Sequence, residues 1–287
     1  MAATDVRDLE LEGLDRLELD LPSPPSRARR VLDATWPKLA AIAVGLALWE
    51  AVVLSGWKPT YVLPGPGAAF SELWTARGVL GSGALTTLQR AVEFYLISLL
   101  IGTVLAAAIS RVATLRTAVS PLLTGLQTMP NVAWVPFAII VWGSGTVRPI
   151  MFVAVIGTVP AITIGTLSAI DAVPPLLLRA GDVLGARGLN RYRHVVLPAA
   201  MPGYVAGMRQ GWAFLWRALM AGELIAQVPG SHSLGQLLSS YQDLSQMAGV
   251  LAAMLVILAI GLLMDTLVFT RLEAAVLRRR GLTAGAA

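Results

Sequence analysis

The sequence predicts an all-α integral membrane protein with six transmembrane helices, and three observations lead there. Of the 287 residues 56% are hydrophobic and only 14% charged, with a mean hydropathy of +0.69. Soluble domains carry about a quarter charged residues. The apolar runs are long enough to cross a bilayer, which takes about 20 helical residues. Basic residues collect beside alternate ends of those runs, the asymmetry that orients a chain across a membrane. The net charge of +5 therefore reflects topology, whereas a nucleic-acid footprint would need one continuous basic face.

Composition also excludes chemistry. Without cysteine there is neither a disulfide framework nor a thiolate metal site. His194 and His232 stand far apart without a carboxylate cluster, and Ser231-His232-Ser233 has no orienting acid nearby, which speaks against a hydrolase. Lys38 and Lys58 follow no glycine-rich loop, so the chain has no phosphate loop and ATP-driven work would need another subunit.

Residues 1–35 read as a cytoplasmic tail. Leucine alternates with acid from Leu9 to Leu21, and no secretory signal pattern precedes the linker Ser23-Pro24-Pro25-Ser26. The tail suits either a mobile segment or an amphipathic element packed on a partner or the membrane edge. Arg27, Arg29, Arg30 and Lys38 place this end inside.

Residues 36–58 form the first transmembrane helix, with Trp36 and Trp57 at interfacial positions and Glu50 within it. An outer segment follows, with Leu63-Pro64-Gly65-Pro66 and a short helix through Phe70 to Trp74. Span two runs from Thr87 to Ser110, with Arg90 and Glu93 near its outer end, and Arg111 and Arg116 mark an inner turn. Lys58, Arg77 and Arg90 oppose the charge asymmetry that the other loops support.

The uncharged stretch Thr117 to Val147 is too long for one straight span. Pro130 predicts a bend at Met129-Pro130-Asn131 that faces other helices, because the freed carbonyl must be satisfied away from lipid. Span four runs from Arg148 to Ile170 with a kink near Pro160. Span five, Gly203 to Gln227, holds Arg209, Arg217 and Glu223, and its small residues offer faces for close helix contact. Span six, Met247 to Thr270, leads into a cytoplasmic tail, 273–287, with Arg278-Arg279-Arg280.

The polar insert at 174–200 is the longest between apolar runs. Pro175 suits a first helical turn, Leu176, Leu177, Ala180, Val183 and Leu184 recur at helical spacing, and Gly185 permits a sharp turn. Ala186 to Tyr192 would then project toward a soluble partner, with Leu189 and Tyr192 as apolar anchors and Arg187 and Arg191 as a basic rim. An ordinary basic loop is the plainer reading.

Gly185, nine residues, then Val195-Val196-Leu197-Pro198 resembles the EAA motif of type I ABC importer permeases. Leu63-Pro64-Gly65-Pro66, Pro130-Asn131-Val132-Ala133-Trp134-Val135-Pro136 and Trp216-Arg217-Ala218-Leu219 are similar to the nitrate, sulfonate and taurine branch, so the resemblance covers Trp36 to Arg280. It implies a permease core at 87–272 with a cytoplasmic coupling loop at 174–200. ATPase docking then falls on Arg179, Ala180, Gly185, Ala186, Arg187, Leu189, Arg191, Tyr192, Val195, Leu197 and Pro198. The chain departs from the family at Arg179, where a glutamate is usual, and at Gly181, where glycine for alanine is expected to loosen the first helix.

By the same resemblance the chain would be a non-catalytic subunit of the bacterial cytoplasmic membrane, with both termini inside. Its partners would be two ATP-binding cassette subunits, an extracytoplasmic binding protein and a second permease copy. It would bind no cofactor and no nucleic acid, ATP and Mg being used by the ATPase. Met129, Asn131, Trp134, Arg217 and Glu223 are the candidates for the translocation path. Arg217 and Glu223, six residues apart, lie about 9 Å apart along a helix and about 120° around it. A direct pair is therefore not expected, and either could instead pair structurally with Glu50, Glu93 or a backbone carbonyl.

A small anion (aliphatic sulfonate, taurine or nitrate) suits Arg217, while a thiamine-type pyrimidine precursor would not need that charge. An ion-coupled secondary transporter would call for repeated halves and midplane carboxylates, and neither is visible in the sequence.

Overall fold

The computed structural model describes residues 27–280, so the acidic stretch before Arg27 and the last residues after Arg280 lie outside the described part. The chain divides into two compact units, Met1–Trp57 and Lys58–Ala287.

In the first unit, α1 spans Arg27–Leu54, beginning at Arg27 rather than Trp36. Its apolar window is Thr35–Leu54, long enough to cross a membrane.

The second unit opens with α2, Pro66–Thr75, started by a proline whose fixed φ fits the first turn. Helix α3, Arg77–Arg111, begins ten residues before the expected Thr87. At 35 residues it is about 52 Å long, well beyond the ~30 Å hydrocarbon core. Helix-disfavouring Gly83 is accommodated there by packing, since a Cβ would meet Leu237 Cδ1 at 2.6 Å.

The third expected span is two helices rather than one bent helix. Helix α4, Ala113–Thr128, stops at Met129, whose ψ of 134° is the extended conformation that a following proline imposes. A single tight turn, Asn131–Ala133, leads into α5, Trp134–Trp142. Gly143 and Gly145, with φ of 79° and 83°, then reverse the chain. Helix α6, Arg148–Asp171, runs continuously through Pro160.

Helices α7, Pro175–Val183, and α8, Gly188–Arg191, form the polar insert. A π turn over Tyr192–Val196 carries the chain directly into α9, Leu197–Ile225, so span five starts earlier than Gly203. Next come α10, Leu234–Asp243, and α11, Met247–Leu263. A second π turn, Met264–Phe269, joins α11 to α12, Thr270–Arg279.

Among the described residues four helices are long and apolar enough to cross a membrane: the windows in α1, α3 and α6, and the stretch Met247–Arg279. The other two expected spans are the broken α4–α5 pair and α9, which carries Arg209, Arg217 and Glu223.

Helix α6 sits between α3 and α9. Its contact with α9 is antiparallel and made backbone to backbone, because small residues face each other. Gly203 abuts Ala169, Gly207 abuts Gly165, and Gly211 abuts Ile162. A Cβ on Gly165 would lie 2.7 Å from Gly207 Cα. Around this seam Phe94, Tyr95, Ile150, Trp212, Leu215 and Phe269 build the main core, and the Tyr95 hydroxyl donates to the Met208 carbonyl at 2.8 Å.

Candidate functional site

Two constellations lie at opposite ends of α9. At its N-terminal end is the elbow formed by α7 and α8. Helix α7 closes with a paired pattern in which the Ala186 N–H donates to Gly181 O at 2.9 Å and the Gly185 N–H donates to Asp182 O at 3.1 Å. That closure needs the left-handed conformation seen at Gly185, φ 80°, which a Cβ resists. The elbow is tied shut by Arg191 Nη1 and Asp182 Oδ1, 3.1 Å apart.

Gly181 does not loosen the helix as expected. It is buried, and a methyl there would sit 2.8 Å from Val195 Cγ2, so glycine lets α7 close onto the π turn. Tyr192 likewise does not project outward. It is half-buried beside Val173, Val196 and Ala200, with the Arg111 guanidinium 6.0 Å from its ring centroid. Arg191 belongs to the elbow's own ion pair rather than to a free rim.

What remains outward is apolar. Leu176, Val183, Leu184 and Leu189 are 75%, 87%, 85% and 72% exposed, flanked by exposed Arg179 and Arg187. Ala180 and Leu197 are also exposed, whereas Ala186, Val195 and Pro198 are half-buried supports. With Leu177 and Leu197, six large apolar side chains are exposed on so small an insert, which suits an interaction surface.

At the other end of α9, Glu223, a candidate for the path, is wholly buried. Its Oε1 accepts from Arg90 Nη1 at 3.0 Å and its Oε2 from Thr87 Oγ1 at 2.8 Å. Arg90 Nη2 also donates to Ser231 Oγ at 2.7 Å, and the Leu234 N–H donates to Thr87 Oγ1 at 2.9 Å. One buried pair thus fastens α3, α9 and the segment before α10. Buried charges persist only when paired and hydrogen-bonded, and here the polar atoms around them complete the set. Sequence reasoning missed Arg90 as the partner. The available signal was its position, since an arginine at the end of a span that should be poor in basic residues needs a local reason.

Nearby, burial first and then Glu72 push the Tyr241 hydroxyl above its ordinary range.

Of the other path candidates, Asn131 and Arg217 are brought to one level. Asn131 is half-buried against Gly157, where a Cβ would lie 2.6 Å from Asn131 Oδ1 and 3.1 Å from Ala218 Cβ. The break after α4 and the turn of α9 that carries Arg217 therefore meet on α6. Met129 is exposed, and Trp134 packs edge-on to Phe137 and Phe152, with centroids 6.1 and 6.2 Å away. Arg217 is exposed. Its Nε donates to Ala213 O at 3.0 Å and its guanidinium carbon lies 4.7 Å from the Phe214 ring centroid. Both terminal NH2 groups have no acceptor among the described residues. Arg209, by contrast, is engaged through Nε and Nη2 with Asp265, each at 2.6 Å, and through Nη1 with Glu273 at 3.2 Å.

Four helices long and apolar enough to cross a membrane among the described residues, with a broken helix beside a polar one, define an all-helical membrane protein. The chain belongs to the family of binding-protein-dependent transport system inner membrane components, whose model matches residues 98–276. It is similar to the riboflavin transport system permease protein of Chloroflexus aurantiacus, 29% identical over 74% of this chain and 80% of that one. It is also similar to the taurine transport system permease protein of Escherichia coli, 26% identical over 82% of this chain and 90% of that one. In fold it matches a chain of the methionine ABC transporter in inward-facing conformations, with a TM-score of 0.61 and 21% identity over 70% of this chain and 98% of that chain. It is therefore a non-catalytic ABC importer permease of the cell membrane. ATP hydrolysis belongs to a separate subunit, and family membership implies an ATPase and a substrate-binding protein as partners.

Proposed function

We propose that this permease forms the translocation path for a small anion such as an aliphatic sulfonate, taurine or nitrate. The observation that carries this reading is Arg217, an exposed guanidinium whose two NH2 groups have no acceptor among the described residues, level with the break at Asn131. An ionisable group at membrane depth costs several kcal/mol unless it serves a polar path or a partner. The taurine relative supports the choice of anion. A neutral or larger cargo is the second reading, favoured by the riboflavin relative.

Uptake of taurine, an alkanesulfonate and nitrate by cells with Arg217→Gln tests this. Loss of one charged hydrogen-bonding partner is worth about 1.5–3 kcal/mol, so KM for the transported anion should rise at least about tenfold while ATPase copurification is unchanged. An unchanged KM for every anion would remove Arg217 from the path.

The exposed face of the elbow is the ATPase dock, so that end of the bundle lies in the cytoplasm, and the basic residues beside the first and last spans favour a cytoplasmic side for both termini. Two permease copies and two ATPases complete the transporter, with ATP and Mg held by the ATPases. The binding protein delivers cargo at the end that carries α2 and α10. ATP can drive alternation because the two permease states bind these partners differently. Leu189→Asp would place an unpaired carboxylate in a desolvated contact, and copurification of the ATPase should fall at least about tenfold with the permease still membrane-inserted. Full recovery of the complex would move the dock elsewhere.

A further inference from the structure

Outside both constellations, the bundle holds an open groove of about 510 Å³ between α3, α4, α5 and α6. Its wall is apolar, with Ile97, Ile101 and Leu105 on one side, and Met151 and Ile156 on the other. The single exception is Arg148, the first residue of α6, which stands with Trp142 at one mouth. Arg148 is exposed and makes no ion pair among the described residues.

An empty apolar groove of this size forfeits dispersion contacts along its lining, so in the membrane it is filled. From Arg148 to Pro160 the α6 wall extends about 18 Å at 1.5 Å per residue. That is close to one leaflet's share, about 15 Å, of the hydrocarbon core. The groove therefore has the depth of an acyl chain, the polarity of an acyl chain, and a cation with an interfacial tryptophan where a headgroup would sit.

Helices α3 and α6 run side by side in the same direction, with Gly102 against Ile162 and Ile109 clustered with Leu167. Glu93, exposed and one turn before Ile97 on the same face, thus falls toward the Arg148 end. A headgroup with a phosphate for Arg148 and an ammonium for Glu93 fits that mouth better than a net anion.

The geometry points to a bound phosphatidylethanolamine molecule: one acyl chain in the groove, the phosphate on Arg148, and the amine toward Glu93. The lipid seals the seam where α4 breaks off.

Native mass spectrometry of permease purified from vesicles of phosphatidylethanolamine and phosphatidylglycerol tests it. The wild-type chain should retain one phosphatidylethanolamine per copy. Arg148→Ala should reduce that fraction at least about fivefold, Ile156→Trp should abolish it by filling the groove, and Leu258→Trp on the exposed side of α11 should leave it unchanged. Equal retention by wild type and Ile156→Trp would overturn the proposal. Should Ile156→Trp not fold, a photoreactive phosphatidylethanolamine applied to the unaltered chain should mark peptides between residues 148 and 160, and marks confined elsewhere would overturn it. The chain has no cysteine, so Ile156→Cys gives a third reading. Disulfide-linked dimers formed under an added oxidant would show that residue 156 of two copies meets face to face, closing the groove against a second copy, and would sink the lipid assignment.

Discussion

Replacing Glu223 with alanine is expected to destabilise the permease by about 3–5 kcal/mol, because it strands a buried guanidinium whose counter-charge is gone. Arg90 would keep only Ser231 Oγ, and Thr87 would lose its acceptor while still receiving the Leu234 N–H. At about 2–4 °C per kcal/mol for a chain of this order, the unfolding midpoint of detergent-purified protein should fall by about 6–20 °C. Glu223→Gln should lie between, since an amide can accept from Arg90 yet offers no second acceptor for Thr87. Joint replacement, Arg90→Met with Glu223→Leu, should recover most of the loss, because apolar substitutes for a buried pair are often neutral. A double variant as unstable as the single one would mean that the carboxylate has a role beyond cancelling Arg90.

That pair also shows how far the sequence could be read. Transmembrane class, the elbow at Gly185 and the break at Pro130 were legible because each follows from short-range physics: apolar run length, a left-handed glycine, a proline acting on the residue before it. The break's extent was not. A bend was expected, and the chain instead starts a new helix at Trp134, since Pro130 and the extended Met129 leave no continuous ladder to bend.

The roles of single charged residues were legible only where helical phase sufficed. Arg217 and Glu223 do point to different environments, as their spacing requires, but which one is buried depended on Arg90, more than a hundred residues away. The local pattern alone points Tyr192 and Arg191 outward. Their actual positions are set by Val173 and Ala200 in one case and by Asp182 in the other, contacts that no periodicity records. Gly181 reads as a weak helix former in isolation and becomes a packing necessity only once Val195 is opposite it.

The second large effect is expected at the α6–α9 seam. Gly207→Val should cut the yield of folded, membrane-inserted permease several-fold and lower its unfolding midpoint, at a cost of about 1–3 kcal/mol or more. A Cβ on Gly207 would stand 3.1 Å from both Cα and C of Gly165. Those are backbone atoms and cannot rotate aside, so the helices must separate. Gly125→Val in α4 is the matched control, since nothing lies within 4 Å of a Cβ there and valine is a better helix former than glycine. It should be neutral or slightly stabilising.

In the proposed importer the same seam transmits force. Helix α9 continues from the elbow without a break, through the π turn, and its backbone rests directly on α6 at Gly165. A displacement of the elbow therefore moves both helices as one body, since close-packed interiors deform little. Whatever folded Gly207→Val protein is recovered should still bind the ATPase, because the exposed face of Leu184 and Leu189 is untouched. It should hydrolyse ATP with reduced coupling to transport. Normal transport per recovered complex would show that α9 can slide on α6, and that motion reaches the broken helix by another route.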